Sequence, residues 1–491
     1  MALFSFLLSN HSYAQVDIDK LIKSGLDNLY SFKWTNAESD FNKITTKYPD
    51  DPRGYHFLSD VYMWYYLSNN LNEDYVQFNK YSDKVLELCE KQIELQPNDE
   101  KFLTILGTNY IYRSVIFNQA QKQIDAIWAA KKAETYLSKC LELNKDNYDA
   151  MFGLGIYNFA VGQIPAAFKW ALSVAGVKGD KDTGIKYLET AAQKGNFTKI
   201  EAQYYLSQIF SENLYDFNTS SNYLKALIKK FPYNKLFNYA FAVLNVKQKN
   251  LDNARAILLS LTKEEDSKFI QLYAFSNFLL GDVYFKKNEF DSAKKFYSIF
   301  LNKTKDNNYT GIASYRIGLS YELTDLRDSS LLYYKNTDKG NNDLDDDLYA
   351  KRKGSIYYNR QLSDIEKKII IYSNFIEDSN YQEAIDSLST LLNYTDSEKY
   401  KAEILFYLSD ANFYLGNYDK SLELVLSAYQ NNSSEESWIK PYSCFNAARI
   451  YKIQTDFFKM KDMIDEADKY TDYDYQNKLK NYFTALKKVN F

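Results

Sequence analysis

Small and large apolar residues recur along the chain at fixed offsets. Leu280-Gly281 is followed by Tyr284, Ala293, Tyr297 and Phe300; Ile317-Gly318 is followed by Tyr321, Ser330 and Tyr334. In both stretches a large residue precedes a small one. An aromatic residue comes three positions later, and a second small residue twelve after the first. Gly25 with Ala37 and Ala242 with Ala254 keep the twelve, and Tyr372 with Ala384 and Ser409 with Ser421 keep it with looser residue types. Two antiparallel helices joined by a tight turn must approach closely where they cross. A small residue on each permits that approach, and larger neighbours fill the grooves around it. Turn-forming stretches lie between the small sites: Lys287-Asn288-Glu289-Phe290-Asp291, Ser379-Asn380-Tyr381 and Gly416-Asn417-Tyr418-Asp419. Pro49, Pro97 and Pro232 fall where second helices must stop. Starts recur every 34 to 39 residues where nothing is inserted. The pattern predicts an all-α stack of helix pairs.

These residues resemble the tetratricopeptide repeat family, whose motif of aromatic, Leu-Gly, Tyr, Ala, aromatic, Ala and Pro spans about 34 positions. Segment 274–307 carries Leu280, Gly281, Tyr284, Ala293 and Tyr297 at family positions, and 18–51 carries Gly25, Ala37, Phe41 and Pro49. The resemblance covers nearly the whole chain as roughly ten or eleven units, many lacking the Gly, the Ala or the Pro. It implies a right-handed superhelical solenoid whose first helices line a concave groove. It also implies a non-catalytic scaffold that takes a protein or peptide segment there. On that register Phe278, Asp282 and Phe285 face the groove in one unit, and Phe406, Asp410 and Phe413 in another. Aromatic–acid–aromatic faces would grip a peptide, a helix or a sugar ring. The Lys and Asn set with which repeat proteins of this kind clamp a terminal carboxylate is not evident, so that role is not carried over.

Two units depart from the spacing. Leu106-Gly107 and Tyr110 open one, but its second small site is Ala133, and Ser114 to Trp128 reads as lengthened helix. Leu154-Gly155 opens the other, with Gly184 as its second small site. Between them lies a mostly apolar insert at 162–179, holding Phe168 and Trp170. It is expected either to plug the local core or to act as a lid or docking wedge. At 338–363 a loop and an acidic run suggest a linker between an N-terminal array, 15–337, and a C-terminal array, 364–491, closed by a capping helix from Tyr475. Asp343, Asp345 and Asp347 alternate as in a calcium loop, but Leu348 and Gly354 stand where such a loop needs Gly and Glu. Acidic residues at a helix start are the better reading.

Composition narrows the function. The 491 residues include 46 Tyr, 32 Phe and 5 Trp but only 6 Pro and 16 Gly, which favours long helices over loop-rich chains. With 60 basic against 64 acidic residues there is no excess that would point to nucleic acid. There are two His, His11 and His56, so little proton-shuttle or metal chemistry is on offer. Cys89, Cys140 and Cys444 are dispersed and read as small buried thiols. No phosphate loop, nucleophile elbow or zinc motif occurs, so no catalytic residue, cofactor or metal is expected. Two alternatives stay open. One is a small-molecule or glycan module built on Trp34, Trp64, Trp128 and Trp170; the other is a carboxylate-based hydrolase. Leu3 to Leu8 is apolar, and Ser12-Tyr13-Ala14 offers a cleavage site before Gln15, without a basic start. Residues 1–14 therefore read as a signal peptide of a bacterial periplasmic or secreted protein, peripherally associated with the envelope. An uncleaved chain would be cytoplasmic. No later apolar run is long enough to span a bilayer.

Overall fold

The computed structural model describes residues 2–164, 176–395, 398–431 and 436–487, and these hold twenty-four α-helices, two short 3-10 turns and no strand. Packing divides the chain into two compact units, residues 1–211, 216–240 and 266–269, and residues 212–215, 241–265 and 270–491.

The first unit holds α1 (Ala2–Tyr30) and α2 (Trp34–Lys47), α3 (Pro52–Asn69) and α4 (Asn72–Leu95), and α5 (Glu100–Gln119) and α6 (Gln123–Leu143). Then come α7 (Tyr148–Gln163) with α8 (Lys181–Lys194), and α9 (Lys199–Glu212) with α10 (Phe217–Lys230). Helix α11 (Lys235–Lys247) straddles the division. The second unit continues with α12 (Leu251–Leu261), α13 (Ile270–Lys286) and α14 (Phe290–Lys303), and α15 (Thr310–Leu323) and α16 (Arg327–Tyr334). A single helix, α17 (Asp345–Asn359), precedes α18 (Asp364–Glu377) and α19 (Tyr381–Asn393), α20 (Glu398–Tyr414) and α21 (Tyr418–Gln430), and α22 (Ile439–Ile453) and α23 (Phe457–Ala467). Helix α24 (Gln476–Lys487) comes last. The architecture is an all-α array of helix pairs.

The twelve-residue spacing has a steric cause. A Cβ added to Gly25, Gly281 or Gly318 would come within 2.3, 2.9 and 2.7 Å of the rings of Phe41, Tyr297 and Tyr334. Each ring belongs to the residue four positions after the second small site, one helical turn on. The lengthened pairs keep that relation. Gly107 meets Leu137, four after Ala133, and Gly155 meets Leu188, four after Gly184. The extra residues therefore extend the hairpin tips and leave the crossing unchanged. Between α20 and α21 the crossing is made by hydrogen bonds. The Ser409 hydroxyl donates to the Ser421 carbonyl at 2.8 Å, and the Ser421 hydroxyl to the Ser409 carbonyl at 2.7 Å.

Eight turns within pairs close identically. The N–H of Lys33, Lys122, Asn250 and Glu289 donates to the carbonyl five residues back, as does that of Leu326, Asn380, Asn417 and Asp456. The residue before each donor is left-handed, with φ between 58° and 82°. That is the Schellman closure of a helix C-terminus, a position that favours glycine. Here Gly416 is the one glycine among the eight; the others are Phe32, Gln121, Lys249, Asn288, Asp325, Ser379 and Thr455.

Segment 338–363 differs from an irregular linker. It contains α17, which packs on α15 without a pairing helix of its own, so the twelve-residue pattern does not mark it. Asp347 is 2% exposed and accepts the N–H groups of Tyr309, Ile312 and Asn341 at 2.8 Å each, stitching two loops to the start of α17. Asp345 accepts from Asn477 and from the Lys478 N–H, at 3.0 Å each. The acidic run thus serves a helix start, and among the described residues no His, Cys, Asp or Glu cluster is placed to hold a metal. Residues 165–175 of the apolar insert, with Phe168 and Trp170, lie outside the described residues, as do the side chains of 2–14. The three cysteines are buried and free. Leu479, Phe483 and Leu486 of α24 are buried against Ile439, Cys444 and Met460.

Candidate functional site

The second unit has a half-open cavity of about 280 Å³. Its wall is built by α13, α15, α17, α18 and α20, which are first helices of their pairs or, for α17, an unpaired one. Tyr315, Tyr349, Tyr357 and Tyr407 form much of the lining. Non-neighbouring pairs are tied together around it. Asn374 on α18 donates to the Phe285 carbonyl on α13 at 2.9 Å, and the Ser379 hydroxyl to the Lys249 carbonyl at 3.0 Å.

The charges in this wall are mostly matched. Lys353 pairs with Glu436 at 2.5 Å, and Glu436 also accepts from the Trp438 indole at 2.7 Å. Burial alone would lower the Lys353 ammonium, but Tyr349, Tyr357 and Glu436 outweigh it and raise it well above its ordinary value. Glu377 is held by Lys249 and by Lys286, the latter at 2.7 Å. Burial pushes the Glu377 carboxyl up, yet the two ammonium groups hold it well below the usual range. Arg360 and the Ser363 N–H similarly overcome burial and keep Glu366 at about 2. Asp410 is raised by burial, partly offset by Lys249 and Arg449.

Two lining groups are unmatched among the described residues. The Arg316 guanidinium lies 4.5 Å over the Phe285 ring, its buried Nε has no hydrogen-bond partner, and it forms no ion pair. It stays charged because Tyr297 and Asp282 raise it against the pull of burial. Glu403 makes neither an ion pair nor a hydrogen bond; burial first, then the Glu436 charge, push it up to about 8. Neither residue is legible from the repeat register, although Arg316 and Glu403 interrupt otherwise apolar runs, Ile312-Ala313-Ser314-Tyr315-Arg316-Ile317 and Ala402-Glu403-Ile404-Leu405. A charge inside such a run is the available signal.

Of the groove residues expected from the register, Phe285 and Asp410 line this cavity together. Phe278 packs instead on Tyr297, Phe300 and Tyr309 at ring separations of 5.7, 5.0 and 5.3 Å. Phe406 is 7% exposed, against Tyr407 and Trp438. Asp282 accepts from the Tyr297 hydroxyl. Phe413 lies under the Arg449 guanidinium, 3.8 Å from it. The two aromatic–acid–aromatic triplets therefore do not present matching faces. The reason is local: Phe278 and Phe406 turn toward the helices packed beside their own, where aromatic partners bury them. Among the tryptophans, Trp34 is buried against Phe32, Tyr65 and Phe269, Trp64 packs edge-on to Tyr204, and Trp128 stands 64% exposed. These three make no common sugar-binding platform.

Residues 115–308 match the model of a family described as Iml2/Tetratricopeptide repeat protein 39, which is less than half of the chain. No curated protein matches the chain. Among solved structures it is similar to the P58(IPK) TPR domain, at 13% identity and a TM-score of 0.24 over 89% of this chain and 99% of that one. It is similar to yeast Tom70 at 15% identity and a TM-score of 0.29, over 94% and 100%. It is also similar to the APC/C hetero-tetramer Cut9–Hcn1 at 14% identity and a TM-score of 0.26, over 94% and 89%. The paired helices described above make the chain an all-α helical-repeat protein. No helix among the described residues is long and apolar enough to cross a membrane.

Proposed function

We propose that the chain is a non-catalytic protein-interaction scaffold that seats a partner segment in the cavity of the second unit. Arg316 carries this reading. A guanidinium on an aromatic face, with a buried Nε that has no hydrogen-bond partner and with no carboxylate in ion-pair contact, is a preset receptor for a partner's acidic side chain or terminal carboxylate. The tyrosines around it supply rigid, amphipathic contact area. Affinity capture with the intact chain and with Arg316→Met tests it. Proteins held by the first and lost with the second, then confirmed by titration, support the reading; identical captures with both refute it.

Export to a bacterial envelope space belongs to the same proposal. The apolar stretch Leu3 to Leu8 and the small residues Ser12 and Ala14 support it. Sequencing the N-terminus of the native protein decides: a chain beginning at Gln15 supports export, and one retaining Met1 in the cytosol rules it out.

A further inference from the structure

The first unit has a half-open cavity of about 290 Å³, lined in part by His56 and Asp60 of α3 and Glu201 of α9. All three are buried, at 7%, 1% and 6% exposure. The Oδ1 of Asp60 and the Nδ1 of His56 have no hydrogen-bond partner. The His56 ring stacks on Tyr112 at 5.3 Å, and the Tyr112 hydroxyl donates to Glu201 at 3.4 Å. The Trp64 indole lies within reach of both carboxyls.

The basic residues of this cavity are already engaged. Arg53 pairs with Asp19 and Asp51 at 2.7 Å each, and Lys101 approaches Asp51 at 3.7 Å. Asp149 is also occupied, its Oδ1 accepting the N–H groups of Asn196, Phe197 and Thr198 at 3.1 Å each. The cavity leaves Asp60 Oδ1 and His56 Nδ1 unmet, beside the Glu201 carboxyl, and with the ring proton on Nε2 both are acceptors. A buried acceptor without a donor is costly and marks a place where a donor belongs.

We propose that this cavity is a binding site for a primary ammonium group carrying a short apolar tail. An ammonium offers three N–H donors and no acceptor. Asp60, Glu201 and His56 Nδ1 supply three acceptors, and Phe57, Ile105 and Leu26 supply an apolar wall for the tail. Burial, then the Glu201 charge, push the Asp60 carboxyl well up, and burial pushes Glu201 up to about 7. Burial also holds His56 neutral, down to about 4. The other titratable groups acting on the pair are Tyr30, Tyr112, Tyr205 and Asp149. Glu100 lines the cavity too, with Asp19, Arg53 and Lys101. The empty carboxyl pair thus keeps a proton near neutral pH, and an ammonium takes its place. Binding releases that proton, so affinity rises with pH up to the titration of the pair. The site shares no lining residue with the partner cavity of the second unit, and either reading can fail without the other.

Calorimetric titration of the full chain with n-butylamine, N-acetyl-lysine amide and n-butanol tests the proposal. At least one amine is expected to bind with proton release, its affinity climbing with pH by up to about tenfold per unit for each proton released until the carboxyl pair has titrated. n-Butanol is expected to give no binding. Tighter binding of n-butylamine assigns the site to a free amine, and tighter binding of N-acetyl-lysine amide to a lysine side chain. Asp60→Asn and Glu201→Gln keep the shape and should each weaken amine binding by about thirtyfold. Should either variant fail to fold, proton release by the unmodified chain still decides. Absence of binding by both amines, equal binding of n-butanol, or undiminished binding by both folded variants overturns the site.

Discussion

Glu403 shows what a charge costs when its surroundings were not built for it. Its folded value of about 8 lies above the ordinary 4.5, so the folded state holds the proton more tightly than the unfolded one. For an acid raised in this way stability is greatest at low pH. It declines as pH rises from about 4.5, and the loss is complete above about 8. Glu403→Gln should therefore raise the melting temperature at pH 8 and change it little at pH 4.5. Glu366 has the opposite sign. Its depressed value contributes stability above pH 4.5 that disappears as pH falls toward 2. Arg360 and a capping box with Ser363 are the cause. The two acids share a cavity wall, yet their effects separate by pH.

At the scale of the helix pair, sterics and turn geometry make separable predictions. Gly281→Ala puts a methyl within 2.9 Å of the Tyr297 ring and should destabilise by about 1–3 kcal/mol, read from the denaturant midpoint. Adding Tyr297→Leu should recover part of the loss. Thr455 is exposed, β-branched and left-handed at a helix end. Thr455→Gly should gain about 1 kcal/mol, because glycine carries no Cβ penalty there. The crossings were legible in the sequence because Gly, Ala and Ser at a spacing of twelve obey one contact rule. The cavity was not, because its pairings join residues far apart in the chain, such as Lys249 with Glu377 and Lys353 with Glu436. No local period encodes which repeats meet across an interior. Phe278 and Phe406 show the same limit from the other side: register places a residue on a face, and neighbouring rings decide where its side chain points.

Over the whole molecule each unit keeps apolar cores of its own. One runs through Leu106, Leu137 and Leu154 in the first unit, and another through Tyr297, Tyr315 and Tyr334 in the second. The sequence placed its break at 338–363, whereas packing divides the chain between 211 and 270. The sequence cue was a loop followed by an acidic run; the packing follows which helices share a core. Terminal repeats of a stack need a cover on their outer face. Removing residues 476–491 would strip Leu479 and Phe483 from Ile439 and Met460. The shortened chain should melt at lower temperature and bind more of a dye that reports exposed apolar surface.

The extended α5/α6 hairpin has a practical corollary. Its small sites are twenty-six residues apart instead of twelve, about seven extra residues per helix, or roughly 10 Å of added reach. Near its tip Ile124 is 73% exposed, while Cys89, Cys140 and Cys444 are buried in their helices. Buried thiols in apolar surroundings react slowly. A cysteine placed at Ile124 would thus be the preferred target of a maleimide dye or nitroxide, and the outstretched helix would hold that probe well clear of the crossing.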